Sequence, residues 1–150
     1  MSDGTPIEIL IVEDNPYDLE MTLRGFSQAR LSNRIHVVRD GAEALEFIFC
    51  EGAHADRHLQ DPPRMVLLDL KLPKVDGLEV LARMKADERT RSIPVVMLTS
   101  SQEQRDLVES YQLGVNSYIV KPVNFERFVQ AVQELGMYWL VLNKSVPPAG

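Results

Sequence analysis

The sequence holds a single cysteine, Cys50, so no internal disulfide can form. A lone thiol within an apolar helical pattern is expected to be buried and inert. Long hydrophobic runs are also missing, and no stretch approaches the ~20 apolar residues that span a bilayer. Residues 1–6 are polar and do not read as a secretory signal. There is no basic excess either. Sixteen Lys and Arg stand against 22 Asp and Glu, for a net charge of −6 and a pI near 5.1. That is the opposite sign to a nucleic-acid footprint. The expectation is a cytoplasmic protein without DNA, RNA or membrane as a direct partner. Metal-ligating patterns are sparse. His54 and His58, four apart, lack the Glu of a zinc-protease motif and a third ligand, and are expected to be solvated loop residues.

What is present suits one domain with one core: 150 residues, 45% hydrophobic and 25% charged. The pivotal stretch is Met65-Val66-Leu67-Leu68-Asp69. Four apolar residues run into one carboxylate, and Pro73, Asp76 and Gly77 then break the pattern. Such a run reads as a strand buried on both faces, ending where ligands bind in a parallel α/β sheet.

The rest of the chain alternates around it. Residues 7–12, 35–38, 93–99 and 117–120 are rich in apolar and β-branched residues and read as further strands. Between them lie helical stripes: Leu19, Leu23 and Phe26; Ala44, Leu45 and Ile48; Leu78, Leu81 and Met84; a more polar helix over 103–113; and Phe128, Val132 and Leu135. The last stripe runs on toward Trp139 and predicts an extended C-terminal helix. Asp14 or Asn15, Asp40 and Asn124 stand at helix N-cap positions. Residues 51–64 read as a long loop. Five strand–helix units predict a doubly wound, flavodoxin-like (βα)5 parallel sheet in the order 2-1-3-4-5. Residues 1–143 form a single domain and 144–150 a tail.

This arrangement brings four features to the carboxyl ends of four strands: Glu13-Asp14, Asp69, Thr99 and Lys121-Pro122. Carboxylates crowded into one crevice repel one another, and a divalent cation removes that cost. Oxygen-only ligands favour a hard ion, and an open site favours Mg²⁺. Asp69 is then placed to attack phosphorus, with Thr99 donating a hydrogen bond to the phosphoryl oxygens and Lys121 adding positive charge.

The stretches Ile11-Val12-Glu13-Asp14-Asn15, Leu67-Leu68-Asp69-Leu70-Lys71-Leu72-Pro73, Asp76-Gly77, Leu98-Thr99-Ser100 and Val120-Lys121-Pro122 resemble the receiver domain of two-component response regulators. The resemblance implies that Asp69 accepts a phosphoryl group from a sensor histidine kinase. It implies Mg²⁺ bound by Asp14, Asp69 and the backbone carbonyl of Lys71, with Glu13 acting through water where the family often has Asp. It implies a switch pair, Thr99 and Tyr118, and a Lys121–Pro122 bond of a kind often cis in the family. Kinase pairing is expected near the first helix, around Leu19, Thr22 and Leu23. The protein is expected to be a signalling phosphoacceptor, catalysing only its own phosphorylation and dephosphorylation.

The long loop and the ending Tyr138-Trp139-Leu140-Val141-Leu142-Asn143-Lys144 are similar to stand-alone receivers that partner phytochrome-type histidine kinases. By that likeness, Tyr138, Trp139, Leu140 and Leu142 belong to a homodimer interface. Too few residues follow Leu142 for an output domain, so the receiver surface itself is expected to signal. The alternatives are a phosphate sink and a non-phosphorylated interaction module. A phosphatase reading is disfavoured because Lys71 stands where such enzymes carry a second acidic residue.

Overall fold

The computed structural model describes residues 8–28, 33–100 and 117–136. Within them the order is β1 (Ile9–Val12), α1 (Pro16–Gln28), β2 (Ile35–Val38), α2 (Gly41–Phe49), a 3-10 turn (Gly52–His54), β3 (Met65–Asp69), α3 (Gly77–Ala86), β4 (Val95–Thr99), β5 (Ser117–Val120) and α4 (Phe125–Glu134). The strands form one parallel sheet in the order β2-β1-β3-β4-β5, the doubly wound arrangement expected from the alternation.

Successive side chains of a strand point to opposite faces, and both faces here are apolar. Leu10, Val12, Val66, Leu68, Val95 and Met97 pack on one face, against Leu45 and Phe47 of α2 and Leu81 and Met84 of α3. Ile9, Ile11, Met65, Leu67, Val96 and Leu98 pack on the other, against Leu19 and Phe26 of α1 and Phe128 and Val132 of α4. Each fully buried aliphatic or aromatic side chain stabilises the fold by roughly 1.5–3 kcal/mol. β1 and β3 are thereby fixed at every residue.

The helix starts carry their caps. Asn15 accepts from the Asp18 amide at 3.0 Å, Asp40 from Glu43 at 2.7 Å, Asp76 from Glu79 at 3.1 Å and Asn124 from Arg127 at 2.8 Å. Asn15, rather than Asp14, therefore caps α1.

Several expectations are corrected. The fourth strand starts at Val95 rather than residue 93. Pro94 lies just ahead of it, with its carbonyl accepting from the Val66 amide. Cys50 is not a buried helical residue. It is half-buried at the C-cap of α2 with φ +57°, where its amide reaches back to the Glu46 and Phe47 carbonyls. The long loop contains a 3-10 turn, and His54 within it is half-buried rather than solvated, while His58 is exposed. The helix from Phe125 ends at Glu134, with Leu135 as C-cap and Gly136 at φ +70°, so it does not run unbroken toward Trp139. The helix expected over 103–113, and Tyr138, Trp139, Leu140 and Leu142, lie outside the described residues.

Candidate functional site

Parallel pairing sets the site. Val12 pairs with Leu68 and Asp69 with Leu98, so the carboxyl ends of β1, β3 and β4 share one sheet edge. The next residue of the first strand, Glu13, is tied to the sheet by its amide, which donates to the Val38 carbonyl at 3.1 Å. Lys121 follows β5 directly, and its amide donates to the Thr99 carbonyl at 2.7 Å. The Lys121–Pro122 peptide is cis.

The Lys121 ammonium is the centre of the cluster. Its Nζ lies 2.8 Å from Glu13 Oε1, 3.0 Å from Asp69 Oδ2 and 3.0 Å from Asp18 Oδ2. Burial works against this charge, but the hydrogen bonds to the three carboxylates outweigh it and hold the lysine pKa above its ordinary range. Glu13 is only 1% exposed and Asp69 only 8%. Burial, with the Asp69 carboxylate beside it, raises the Glu13 pKa to about 7, against the pull of Lys121. The site therefore holds more carboxylate oxygen than one ammonium neutralises.

Two further features complete the edge. The Lys71 amide donates to Asp69 Oδ1 at 3.4 Å, which orients the carboxylate. The Thr99 hydroxyl is fully buried and has no hydrogen-bond partner among the described residues. A buried hydroxyl without a partner carries a desolvation cost, and at a site that receives a ligand it is a donor in waiting.

The turn after β3 is shaped by close packing. A Cβ on Gly77 would stand 2.2 Å from the Asp69 carbonyl oxygen. One on Gly41 would stand 1.7 Å from the Val75 carbonyl oxygen. Both helices therefore start where only a glycine lets the β3–α3 loop close over the sheet edge, with Lys74 at φ +70° in that loop.

The comparisons with known proteins agree with this geometry. The response regulator receiver domain family matches residues 9–133. The chain belongs to that family. It is 47% identical over 145 residues to the probable methanogenesis regulatory protein FilR2 of Methanothrix harundinacea, covering 96% of this receiver and 90% of that protein. It is 36% identical over 142 residues to the response regulator Rcp1 of Synechocystis, covering 93% and 95%. Among solved structures it resembles the bacteriophytochrome response regulator AtBRR, with 54% identity, a TM-score of 0.85, and coverage of 93% of this receiver and 99% of that chain. The Mn²⁺-bound form of Rcp1 matches with 35% identity and a TM-score of 0.71, covering 96% and 100%.

The fit of the receiver's residues to a hard cation follows from their donor set. Glu13, Asp14, Asp69 and the main chain offer oxygen only, and three carboxylates share the single Lys121 ammonium there. Glu13, Asp69 and Lys121 meet as the sequence implied. Asp14 stays exposed at the lip and is not among the Lys121 partners. Tyr118 is half-buried, packed against the core on the α2–α3 face and paired across from Met97.

Sequence reasoning missed Asp18 as a partner of Lys121. Of the three α1 residues it placed near the kinase, Leu23 is half-buried and the other two are not accessible. Leu19 and Thr22 are buried, and the Thr22 hydroxyl donates to the Asp18 carbonyl at 3.0 Å. The outward residues are Tyr17, 67% exposed, and Met21, 39% exposed. They line a cavity of about 390 Å³ with Glu13, Asp18, Lys121 and Pro122. The signal was available: Tyr17 and Met21 are four apart and each two residues from Leu19, which on a helix puts them on roughly the opposite face from the Leu19 and Phe26 stripe.

Among the described residues no helix is long and apolar enough to cross a membrane.

Proposed function

We propose that this receiver accepts a phosphoryl group on Asp69 from a phytochrome-type sensor histidine kinase, in a Mg²⁺-dependent reaction, and signals through its own surface. The observation that carries this reading is the meeting of the Asp69 carboxylate and the Lys121 ammonium at 3.0 Å, beside a buried Thr99 hydroxyl that has no partner. An Oδ of Asp69 attacks phosphorus, the P–N bond of the donor phosphohistidine breaks, and the imidazole leaves with the electron pair. Lys121 balances the charge on the phosphoryl oxygens, and Thr99 gains in them the acceptor it lacks. Asp14, Asp69 and the Lys71 carbonyl, with Glu13 beside them, would hold Mg²⁺, which when bound would neutralise charge on the incoming group. The Mn²⁺-bound form of Rcp1 supports the ion.

The phosphoryl group adds about two negative charges, so phosphorylation favours whichever conformation brings Thr99 and Lys121 onto it. In this reading Tyr118 turns inward as Thr99 moves, and that change is the signal. The kinase docks on the side of α1 that shows Tyr17 and Met21. The phytochrome assignment is supported by the bacteriophytochrome response regulators RtBRR and AtBRR, at 53% and 54% identity. Output through the receiver surface is supported by coverage of 95% of Rcp1 and 99% of AtBRR. In this reading the protein is a homodimer.

The test is the intact mass of the protein after incubation with Mg²⁺ and acetyl phosphate, with Asp69→Asn alongside. One added phosphate that requires both Mg²⁺ and Asp69 is expected. No adduct, and no binding of a beryllofluoride mimic, leaves an interaction module instead. Sedimentation at tens of micromolar checks the dimer, an affinity in reach of a modest apolar patch at roughly micromolar Kd.

A further inference from the structure

Away from the phosphoacceptor edge, three side chains from three elements converge beside the edge strand of the sheet. His36 comes from β2, Glu43 from the first turn of α2, and His54 from the 3-10 turn after α2. One ligand atom from each lies within 4.8 Å of the other two. His54 Nε2 is 3.7 Å from Glu43 Oε2, too far for a hydrogen bond and close enough for both to share one ion. The imidazoles are positioned by packing. The His36 ring stacks on Phe47 with centroids 4.5 Å apart, and the His54 ring meets the same phenyl edge-on at 5.0 Å.

The polar atoms at this convergence are unsatisfied. Among the described residues, neither Nε2 of His36 nor Nε2 of His54, both buried, has a hydrogen-bond partner. Two such nitrogens facing one carboxylate carry a desolvation cost that a shared ligand removes. Burial, with His54 beside it, lowers the His36 pKa. Arg57, the nearby cation, is engaged elsewhere: it stacks on Phe47 and donates to the Phe47 and Asp61 carbonyls.

We propose that His36, Glu43 and His54 form a Zn²⁺ site that clasps the loop after α2 to the edge strand β2. Two imidazole nitrogens and one carboxylate oxygen are a borderline-soft set that suits Zn²⁺ over Mg²⁺. Three protein ligands leave a fourth tetrahedral position for water. Ligand atoms on one Zn²⁺ stand about 3.3 Å apart, so side-chain rotation of roughly an ångström closes the site. Glu43 has a side-chain exposure of 39% and gives the ion a way in from solvent. The consequence is structural. The ion pins residues 51–64, the longest described connection, to the sheet.

The test is calorimetric titration of the full chain with ZnCl2 in excess Mg²⁺, which keeps the acidic pocket filled. The histidine ring ¹⁵N resonances are followed in parallel. One equivalent of Zn²⁺ that shifts the Nε2 signals of His36 and His54 is expected, while His58 stays unmoved. Affinity falls by about two orders of magnitude in His36→Ala and His54→Ala and about tenfold in Glu43→Gln. Binding that leaves both ring signals in place, or that persists unchanged in the variants, overturns the site. So does no binding, which leaves the two nitrogens to a bridging water. The ring signals are read on the unaltered protein, so a variant that fails to fold does not blunt the test.

Discussion

Asp18 and Lys121 are 103 residues apart in the chain and 3.0 Å apart in space. The contact sets α1 against the end of β5 and gives Lys121 a third carboxylate beyond Glu13 and Asp69. Asp18 is partly exposed and lines the cavity beside Lys121. On the proposed reading, its charge repels an incoming phosphoryl donor and competes with it for the ammonium. Asp18→Asn is therefore expected to raise the rate of phosphorylation by acetyl phosphate a few-fold at low salt, the scale of a partly exposed ion pair at roughly 1 kcal/mol. The gain should fade as salt is added. A slower reaction in this variant would show instead that Asp18 holds Lys121 in its working position.

The buried hydroxyl of Thr99 has no hydrogen-bond partner among the described residues. Thr99→Val keeps the shape and removes the unpaired group. The unphosphorylated variant is expected to be more stable by about 1 kcal/mol, or a few degrees in Tm. Its acyl phosphate should form at least about tenfold more slowly, since a donor to the transferring group has gone. Thermal melting and intact-mass kinetics on one preparation read the two effects, which have opposite signs.

Gly77 tests the packing behind the site. A methyl group there meets the Asp69 carbonyl oxygen at 2.2 Å, and that neighbour is backbone. Gly77→Ala is expected to cost about 3 kcal/mol, roughly 10 °C in Tm, because the β3–α3 turn must open to admit it. An unchanged Tm would mean that the turn is slack enough to yield.

The raised pKa of Glu13 makes stability depend on pH in a definite direction. In the metal-free protein the folded state keeps a proton on Glu13 up to about pH 7, whereas the ordinary value is 4.5. Between those values the folded state binds more protons than the unfolded chain. The contribution of Glu13 to stability therefore falls as pH rises from about 4.5 to about 7, and is flat above that. Chemical denaturation across that range in EDTA should show the protein losing stability relative to Glu13→Gln, which mimics the protonated carboxyl and does not titrate, as pH rises. A protein that gains stability relative to the variant over that range would mean that Lys121 keeps Glu13 ionised.

Much of the fold could be read along the chain because its causes are local. The unbroken apolar run into Asp69 can only be a doubly buried strand. Strand and helix periods alternate, crossovers are right-handed, and the order 2-1-3-4-5 follows. Asp40, Asn124 and the Asp76-Gly77 pair mark their helix starts through short-range hydrogen bonds. Asp69, Lys121 and Thr99 were legible for the same reason, since Asp69 and Thr99 end their strands, Lys121 directly follows β5, and parallel strands end together.

What only the tertiary structure decided were meetings between side chains on different elements. Nothing local in α1 says that Asp18 reaches Lys121, because that depends on the helix phase against a strand laid down a hundred residues later. The same phase turns Thr22 inward and Tyr17 outward. Cys50 leaves the helix because a left-handed cap ends α2 one residue early. His36, Glu43 and His54 share no spacing in sequence. They come together because the edge strand, the helix start and the loop turn pack around one phenyl ring, Phe47. Sequence periodicity names the face of an element, whereas the packing angle between elements chooses which atoms on those faces touch.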